Sequence, residues 1–368
     1  MRAIGIILAG GNSKKMRELA DRRTVAAMPV AGCYRSIDFA LSNMTNSGIQ
    51  KVAVLTQYNA RSLNEHLGSS KWWNFGRKQG GLFIYPPAVT GDSWWYKGTA
   101  DALYQNLSFL RNSREQYVVI ASGDCIYKLD FDKVMDYHAE KGADVTVVCT
   151  ECTSDEISRF GVLTLDEDSR IRAFDEKPTF SESTTISAGI YILRRRLLIR
   201  LLEQCAREGR TDFVRDILIR YKDTKKIYGY RMNTYWSNIA TVESYFRTNM
   251  DFLKPEVRDY FFRQYPGVYS KMDDNPPAKF FSGSSVKNSL VAAGSIVDGV
   301  VENSILFKKV YVGKGCIIRN SIILNDVFIG NNTTIENCIV ESRSYIKADA
   351  VYHGEDGVKI IIEQKKGT

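Results

Sequence analysis

The chain has 368 residues, 44% hydrophobic and 25% charged, with a formal net charge of +8 at pH 7. That length and balance suit a globular protein of two domains and exclude a disordered or fibrous chain. Lys and Arg are interleaved with Asp and Glu rather than gathered in one arm, which argues against nucleic acid and for small anions as ligands. No apolar run approaches the roughly eighteen residues of a membrane span, and the N-terminal apolar segment lacks the flanks of a signal peptide. Seven scattered cysteines read as reduced thiols of a cytoplasmic protein. Cys149 and Cys152 form a lone CxxC without the second pair or context that zinc or redox chemistry needs.

The first predicted element is an apolar strand, Ala3–Leu8, that runs into the turn Gly10-Gly11. A glycine turn after a buried strand presents backbone N–H groups to phosphates. Short apolar runs then alternate with amphipathic segments as far as Leu253. Strands are expected at Lys51–Leu55, Tyr117–Ala121, Val145–Cys149 and Ser187–Leu193, and helices at Ser36–Ser47 and Asp101–Arg111. This alternation predicts an α/β layer fold, Rossmann-like, with a mainly parallel sheet whose ligands bind beyond the carboxyl ends of the strands. Asp124 ends the strand at Ala121 and is placed either to hold Mg²⁺ against phosphate oxygens or to cap the next helix. The run Arg194-Arg195-Arg196 reads as a solvated helix face.

Pro255, Pro266, Pro276 and Pro277 mark 254–281 as a linker packed on the surface. From Val286 to Val340 the pattern becomes a repeat: Asn303-Ser-Ile-Leu, Asn320-Ser-Ile-Ile and Asn337-Cys-Ile-Val at one spacing, with Asn288-Ser-Leu-Val as an irregular first copy. About three six-residue steps per copy, with β-branched residues inward and Gly or Asn at corners, predict a left-handed parallel β-helix. Acyl transfer in such coils generally uses a histidine base, and His66, His138 and His353 all lie outside the repeat.

Further segments sharpen the reading: Ser36-Ile-Asp-Phe-Ala-Leu-Ser-Asn43, Asn46-Ser-Gly-Ile49, Leu55-Thr-Gln-Tyr58, Gly81-Leu-Phe-Ile84 and Ser122-Gly-Asp-Cys-Ile-Tyr127. In order and spacing they resemble the ADP-glucose pyrophosphorylases (glucose-1-phosphate adenylyltransferases) over essentially the whole chain. The resemblance is closest to the GlgD-type subunit of glycogen biosynthesis, found beside a GlgC-type catalytic subunit. It implies a nucleotidyltransferase-like domain over 1–253, the linker over 254–281 and a left-handed β-helix domain over 282–368. It also implies transfer of adenylate from ATP to glucose 1-phosphate, Mg²⁺ in the catalytic partner, and a heterotetramer or a homo-oligomer.

Carried over by position, the resemblance puts Leu8, Ala9, Gly10, Gly11, Gln57, Trp95, Gly98, Thr99 and Asp101 around the nucleotide. Glu176, Lys177, Ser187 and Tyr191 would face the sugar phosphate, and Asp124 the metal. The departures lie at phosphate and metal positions. The family loop Gly-Gly-x-Gly-Thr-Arg-Leu carries Ser13 and Lys15 here, and Arg-Ala-Lys-Pro has become Arg23-Thr24-Val25-Ala26. A Cβ at Ser13 crowds the phosphate approach and opposes a positive φ, and Lys15 lacks the planar fork of arginine. In place of Trp-Arg-Asp-Val-Gly-Thr stands Trp236-Ser-Asn-Ile-Ala-Thr241, so Asn238 occupies the second metal-ligand position without its charge. These changes predict a regulatory subunit with little or no catalysis, the alternative being an active enzyme with an altered loop. Arg22, Arg23 and Arg35 read equally as surface charge or as an anion-effector pocket.

Overall fold

The computed structural model describes residues 2–11, 13–76, 80–88 and 94–363, and Asn12 of the glycine-turn loop lies outside them. The chain forms two compact units, one of Met1–Gly11, Phe39–Ala60 and Leu67–Trp236, the other of Asn12–Asp38, Arg61–His66 and Ser237–Thr368.

In the first unit nine strands form one sheet among the described residues: β1 (Ala3–Leu8), β2 (Lys51–Leu55), β3 (Gly81–Tyr85), β4 (Tyr117–Ser122), β5 (Val145–Glu151), β6 (Gly161–Leu165), β7 (Ile171–Glu176), β8 (Thr185–Arg194) and β9 (Ile227–Arg231). β1 runs parallel between β2 and β4, and β3 continues parallel beyond β2. The long strand β8 is antiparallel to both β4 and β5 and makes the sheet mixed. Ile4, Val54, Val118 and Ile120 are fully buried, which is why the central strands read as continuous apolar runs rather than alternating ones.

Helices among the described residues include α1 (Ser36–Asn46), α2 (Arg61–Leu67), α3 (Thr99–Gln105), α4 (Leu107–Arg111), α5 (Phe131–Glu140), α6 (Arg195–Arg207) and α7 (Val242–Asp251). The single helix expected over Asp101–Arg111 is two. Asn106 separates them at φ −105°, with its amide donating to the Ala102 carbonyl and the Tyr96 hydroxyl. The arginine run is not a uniform solvated face either. Arg194 ends β8, and the guanidinium of Arg195 donates to the carbonyls of Leu110 and Glu115 at 2.8 Å.

His138, on α5, is buried and bonds Thr146 Oγ1 through Nδ1 at 2.8 Å. Burial, aided by Arg194, lowers its pKa from 6.5 to about 4. Between those values the unfolded chain binds a proton that the folded chain refuses, so stability falls as pH drops from 6.5 toward 4. The expected loss is up to about 3 kcal/mol. Urea unfolding of the parent and of His138→Gln at pH 7 and pH 5 checks it: the parent loses more stability than the variant, and equal losses refute it.

In the second unit the repeat winds into three parallel sheets of five strands each among the described residues, spanning Lys279 to Ile361. This is the left-handed parallel β-helix anticipated from the repeat. Successive coils are offset by 17 residues, as in Ser321 over Ser304, by 15 in the first copy, as in Ser304 over Ser289, and by 21 at the last strand, where Lys359 pairs with Cys338. Asn288, Asn303, Asn320 and Asn337 all adopt φ between 41° and 53°, the left-handed conformation that asparagine tolerates best after glycine. The next residue serves as a rung: the N–H groups of Ser304, Ser321 and Cys338 each donate to the serine hydroxyl one coil earlier. Val297, Val312, Ile329 and Ile346 stack inside, while Tyr311, Phe328 and Tyr345 stack outside with ring centroids 4.8 Å apart.

The proline-rich segment before the coils carries helical structure. Pro255–Arg258 begins a helical stretch that continues through Asp259–Arg263, and Phe261 is fully buried against Phe252.

Candidate active site and basic pocket

In the first unit the glycine turn lies at the carboxyl edge of the parallel strands. Leu8 is in register with Leu55 and Ser122. The Ala9 N–H donates to the Leu55 carbonyl at 2.9 Å, and the Gly123 N–H to the Leu8 carbonyl at 3.0 Å. Three strand ends are thereby tied together, and Gly10, Gln57 and Asp124 follow them within a few residues. Gly10 is required by close approach, since a Cβ there would stand 3.0 Å from Gln57 Cβ and 3.3 Å from its backbone nitrogen. Gly11 faces open space.

Asp124 accepts a hydrogen bond from Ser122 Oγ at 2.5 Å, which orients its carboxyl at the strand end. Gln57 Oε1 accepts the Tyr96 N–H at 2.8 Å, and the half-exposed Trp95 stacks on Tyr58 at 5.0 Å. Gly98 packs so closely on Thr211 that a Cβ would meet its carbonyl oxygen at 2.4 Å. Asp101 Oδ2 accepts from Lys97 N–H and Gln105, and Thr99 Oγ1 accepts from Phe213 N–H. Thr99 and Asp101 therefore shape the loop that carries Trp95 and Gly98.

On the antiparallel side of the sheet, Ser187 Oγ donates to the Tyr191 hydroxyl at 3.3 Å across a bulge where Gly189 has φ 73°. Burial raises the Tyr191 phenol well above its ordinary range, so it stays protonated. Glu176 ends β7, and the Lys177 ammonium lies 3.3 Å from Glu176 Oε1 with its backbone at φ 51°. These four residues offer hydroxyls, a carboxylate and an ammonium, a set suited to a sugar and its phosphate.

The remaining predicted site residues belong to the second unit. Ser13 has φ −106° and ψ 107°, a conformation any residue adopts, so the expected conflict with positive φ does not arise. Its hydroxyl instead donates to the Ala240 carbonyl. Lys15 is exposed. Asn238 Oδ1 accepts the Ala240 N–H at 3.1 Å, so this amide oxygen is engaged in a local turn. Asn238 thus presents an uncharged amide in the second unit, a weaker ligand for a divalent cation than a carboxylate. Among the described residues no group of three or more His, Cys, Asp or Glu side chains is placed to hold a metal ion.

The same unit contains a pocket of about 550 Å³ lined by eight Lys or Arg residues and three carboxylates, Glu65, Asp273 and Asp326. Arg22, Arg23 and Arg35 all line it, so they are more than scattered surface charge. The Arg23 guanidinium sits 2.5 Å from Glu341, which is fully buried. Arg35 Nη1 donates to the carbonyl and hydroxyl of Ser62, and its backbone N–H to Asp38, whose other oxygen pairs with His66 at 2.6 Å. Cys33, exposed, lies on the pocket wall.

Sequence reasoning missed Arg61, Lys271, Lys308, Lys309 and Arg343, which complete the basic lining. A signal for two of them existed. Lys309 and Arg343 occupy β-helix corners at φ 58° and 62°, where Asn or Gly costs less. A basic residue at such a corner, flanking Asp326 at φ 58°, marks charge placed at a conformational cost.

Comparison with known proteins agrees with this architecture. The nucleotidyl transferase family matches residues 4–255, and a GlmU-like, C-terminal hexapeptide family matches residues 276–358. Glucose-1-phosphate adenylyltransferase of Clostridium acetobutylicum is 43% identical over 320 residues, covering 86% of this chain and 84% of the relative. The Clostridium perfringens strain 13 enzyme of the same name is 41% identical, covering 86% and 81%, and that of Bacillus cereus is 38% identical, covering 86% and 85%. No helix among the described residues is long and apolar enough to cross a membrane. With the glycine turn, the mixed sheet and the β-helix in place, the chain belongs to the glucose-1-phosphate adenylyltransferase family of nucleotidyl transferases.

Proposed function

We propose that this chain is a regulatory subunit, non-catalytic or weakly catalytic by itself, of a glucose-1-phosphate adenylyltransferase, which makes ADP-glucose and pyrophosphate from ATP and glucose 1-phosphate in glycogen biosynthesis. The observation that carries the reading is Asn238, an uncharged amide engaged with Ala240 N–H where the family motif has a carboxylate. Phosphoryl-group chemistry of this kind relies on positioning and charge neutralisation rather than on a covalent nucleophile. Losing one full charge there, together with the loop arginine replaced by the exposed Lys15, removes what the transition state depends on.

The partner is a catalytic subunit of the same family, which holds the Mg²⁺, in a cytoplasmic heterotetramer. The basic pocket is the place for a small anionic effector, bound by Arg22, Arg23, Arg35 and their neighbours. The presence of Asp124, Glu176, Ser187 and Tyr191 favours a second reading, that of an active enzyme with an altered loop.

One assay separates the two. The purified chain with Mg²⁺, ATP and glucose 1-phosphate should turn over at least about a hundredfold slower than an intact relative. Added to a catalytic partner, it should change that partner's KM or its response to anions. Turnover alone that matches an intact relative overturns the regulatory reading and establishes the second.

A further inference from the structure

We propose that Ser13 is a latch that fastens the loop after the glycine turn to the start of α7, and so holds a vestigial phosphate loop in one fixed shape that resists closing on a ligand. The inference deepens the regulatory reading above and rests on it for its functional meaning. Its physical basis lies wholly within the second unit.

The Ser13 hydroxyl donates to the carbonyl of Ala240, a residue 227 positions away. Asn238 Oδ1 accepts the N–H of the same residue. Two side chains that depart from the family motif therefore bond to the two polar groups of one backbone residue. Glycine at position 13 has no hydroxyl to make the first of these bonds.

Ala240 is a firm anchor because Thr241 and Ser244 close a reciprocal capping box immediately after it. Thr241 N–H donates to Ser244 Oγ at 3.2 Å, and Ser244 N–H to Thr241 Oγ1 at 3.1 Å. Beyond the latch the loop Lys14–Ala20 folds as short helical turns kinked at Arg17, at φ 49° and ψ −137°. Met16 and Leu19 are fully buried and set its apolar side. Arg17 also meets Glu243 at 3.3 Å, but both side chains are more than half exposed, so that pair adds little. The Ser13 bond is partly buried, where water competes less than at the exposed Arg17 pair.

A loop that is to close around phosphates must rearrange its backbone N–H groups onto the ligand. Here that movement would break the Ser13 bond and expose the Ala240 carbonyl. The latch thus acts against nucleotide-induced closure independently of any missing carboxylate.

Amide hydrogen exchange on the full chain tests this, with Ser13→Ala to remove the hydroxyl and Ser13→Thr to keep one. Loss of the bond should speed exchange of residues 14–20 by about fivefold in Ser13→Ala. Ser13→Thr should exchange like the parent, and the coils of the β-helix should be unaffected in both. The same Ser13→Ala protein should bind ATP several-fold more tightly by calorimetry. Unchanged exchange over 14–20 in Ser13→Ala, or equal loosening in Ser13→Thr, overturns the latch. Neither readout needs turnover, so a chain that proved active by itself would sink the regulatory reading while leaving this result to stand or fall alone.

Discussion

Combining Ser13→Gly, Lys15→Arg and Asn238→Asp raises pyrophosphate release from ATP and glucose 1-phosphate by at least about a hundredfold over the parent chain, because single charge-stabilising groups in such sites are each worth roughly that much. The three changes act as a unit. Asn238→Asp alone supplies a carboxylate while the loop stays bonded to Ala240, and Ser13→Gly alone frees a loop whose positive end is still the exposed Lys15. Each single change should therefore recover about tenfold or less, and the sum of singles should fall short of the triple. The comparison is made at saturating Mg²⁺ and both substrates, with calorimetric binding of Mg²⁺-ATP as the control for a folded site. If the triple variant folds, binds Mg²⁺-ATP and still releases no pyrophosphate, these positions do not account for the deficit. Val25 and Ser237, which replace the family's lysine and arginine, would be the next positions to restore.

Arg23→Ala is expected to destabilise the second unit by about 3–5 kcal/mol, the cost of leaving a buried charge without its partner. Glu341 is fully buried, with Oε1 shared between Arg23 at 2.5 Å and the Ser342 N–H at 2.6 Å, and Oε2 has no hydrogen-bond partner. Removing the guanidinium leaves that carboxylate in the interior with one backbone donor. Replacing both residues with apolar ones, Arg23→Met with Glu341→Leu, should return most of the loss, since the desolvation of two charges disappears along with their attraction. Urea midpoints of the parent, the single variant and the double variant decide the matter. A single variant within about 1 kcal/mol of the parent would mean that water reaches Glu341.

Arg23 also lines the basic pocket. Arg23 serves there as a fixed wall, already neutralised by Glu341, whereas Arg22 and the corner residues Lys309 and Arg343 line the same cavity. An incoming anion therefore meets a surface in which some charges are structural and others remain to be offset. Substituting Arg23 confounds folding with binding, so the more exposed Arg22 is the cleaner position for a binding study.

The legible part of the fold came from periodicity. β1 and β2 lie where continuous apolar runs put them, and the β-helix corners fall on the repeated asparagines because few other side chains accept a positive φ at low cost. The antiparallel course of β8 was not legible, since a strand buried on both faces has the same apolar run in either direction. Nor was the break at Asn106, where a side chain bonded to Ala102 and Tyr96 overrides a segment with helical spacing.

For the site, residue type and spacing determined the glycine turn and the strand-end Asp124, each a local chemical fact about one position and its neighbours, while the uncharged amide at Asn238 stood out through the resemblance to the family's motif. Only the tertiary structure decided that Ser13 and Asn238 bond to the same residue, and that three separate stretches of chain assemble one basic pocket around Arg23 and Glu341. Those outcomes depend on contacts between residues more than two hundred positions apart, and no sequence period carries that information.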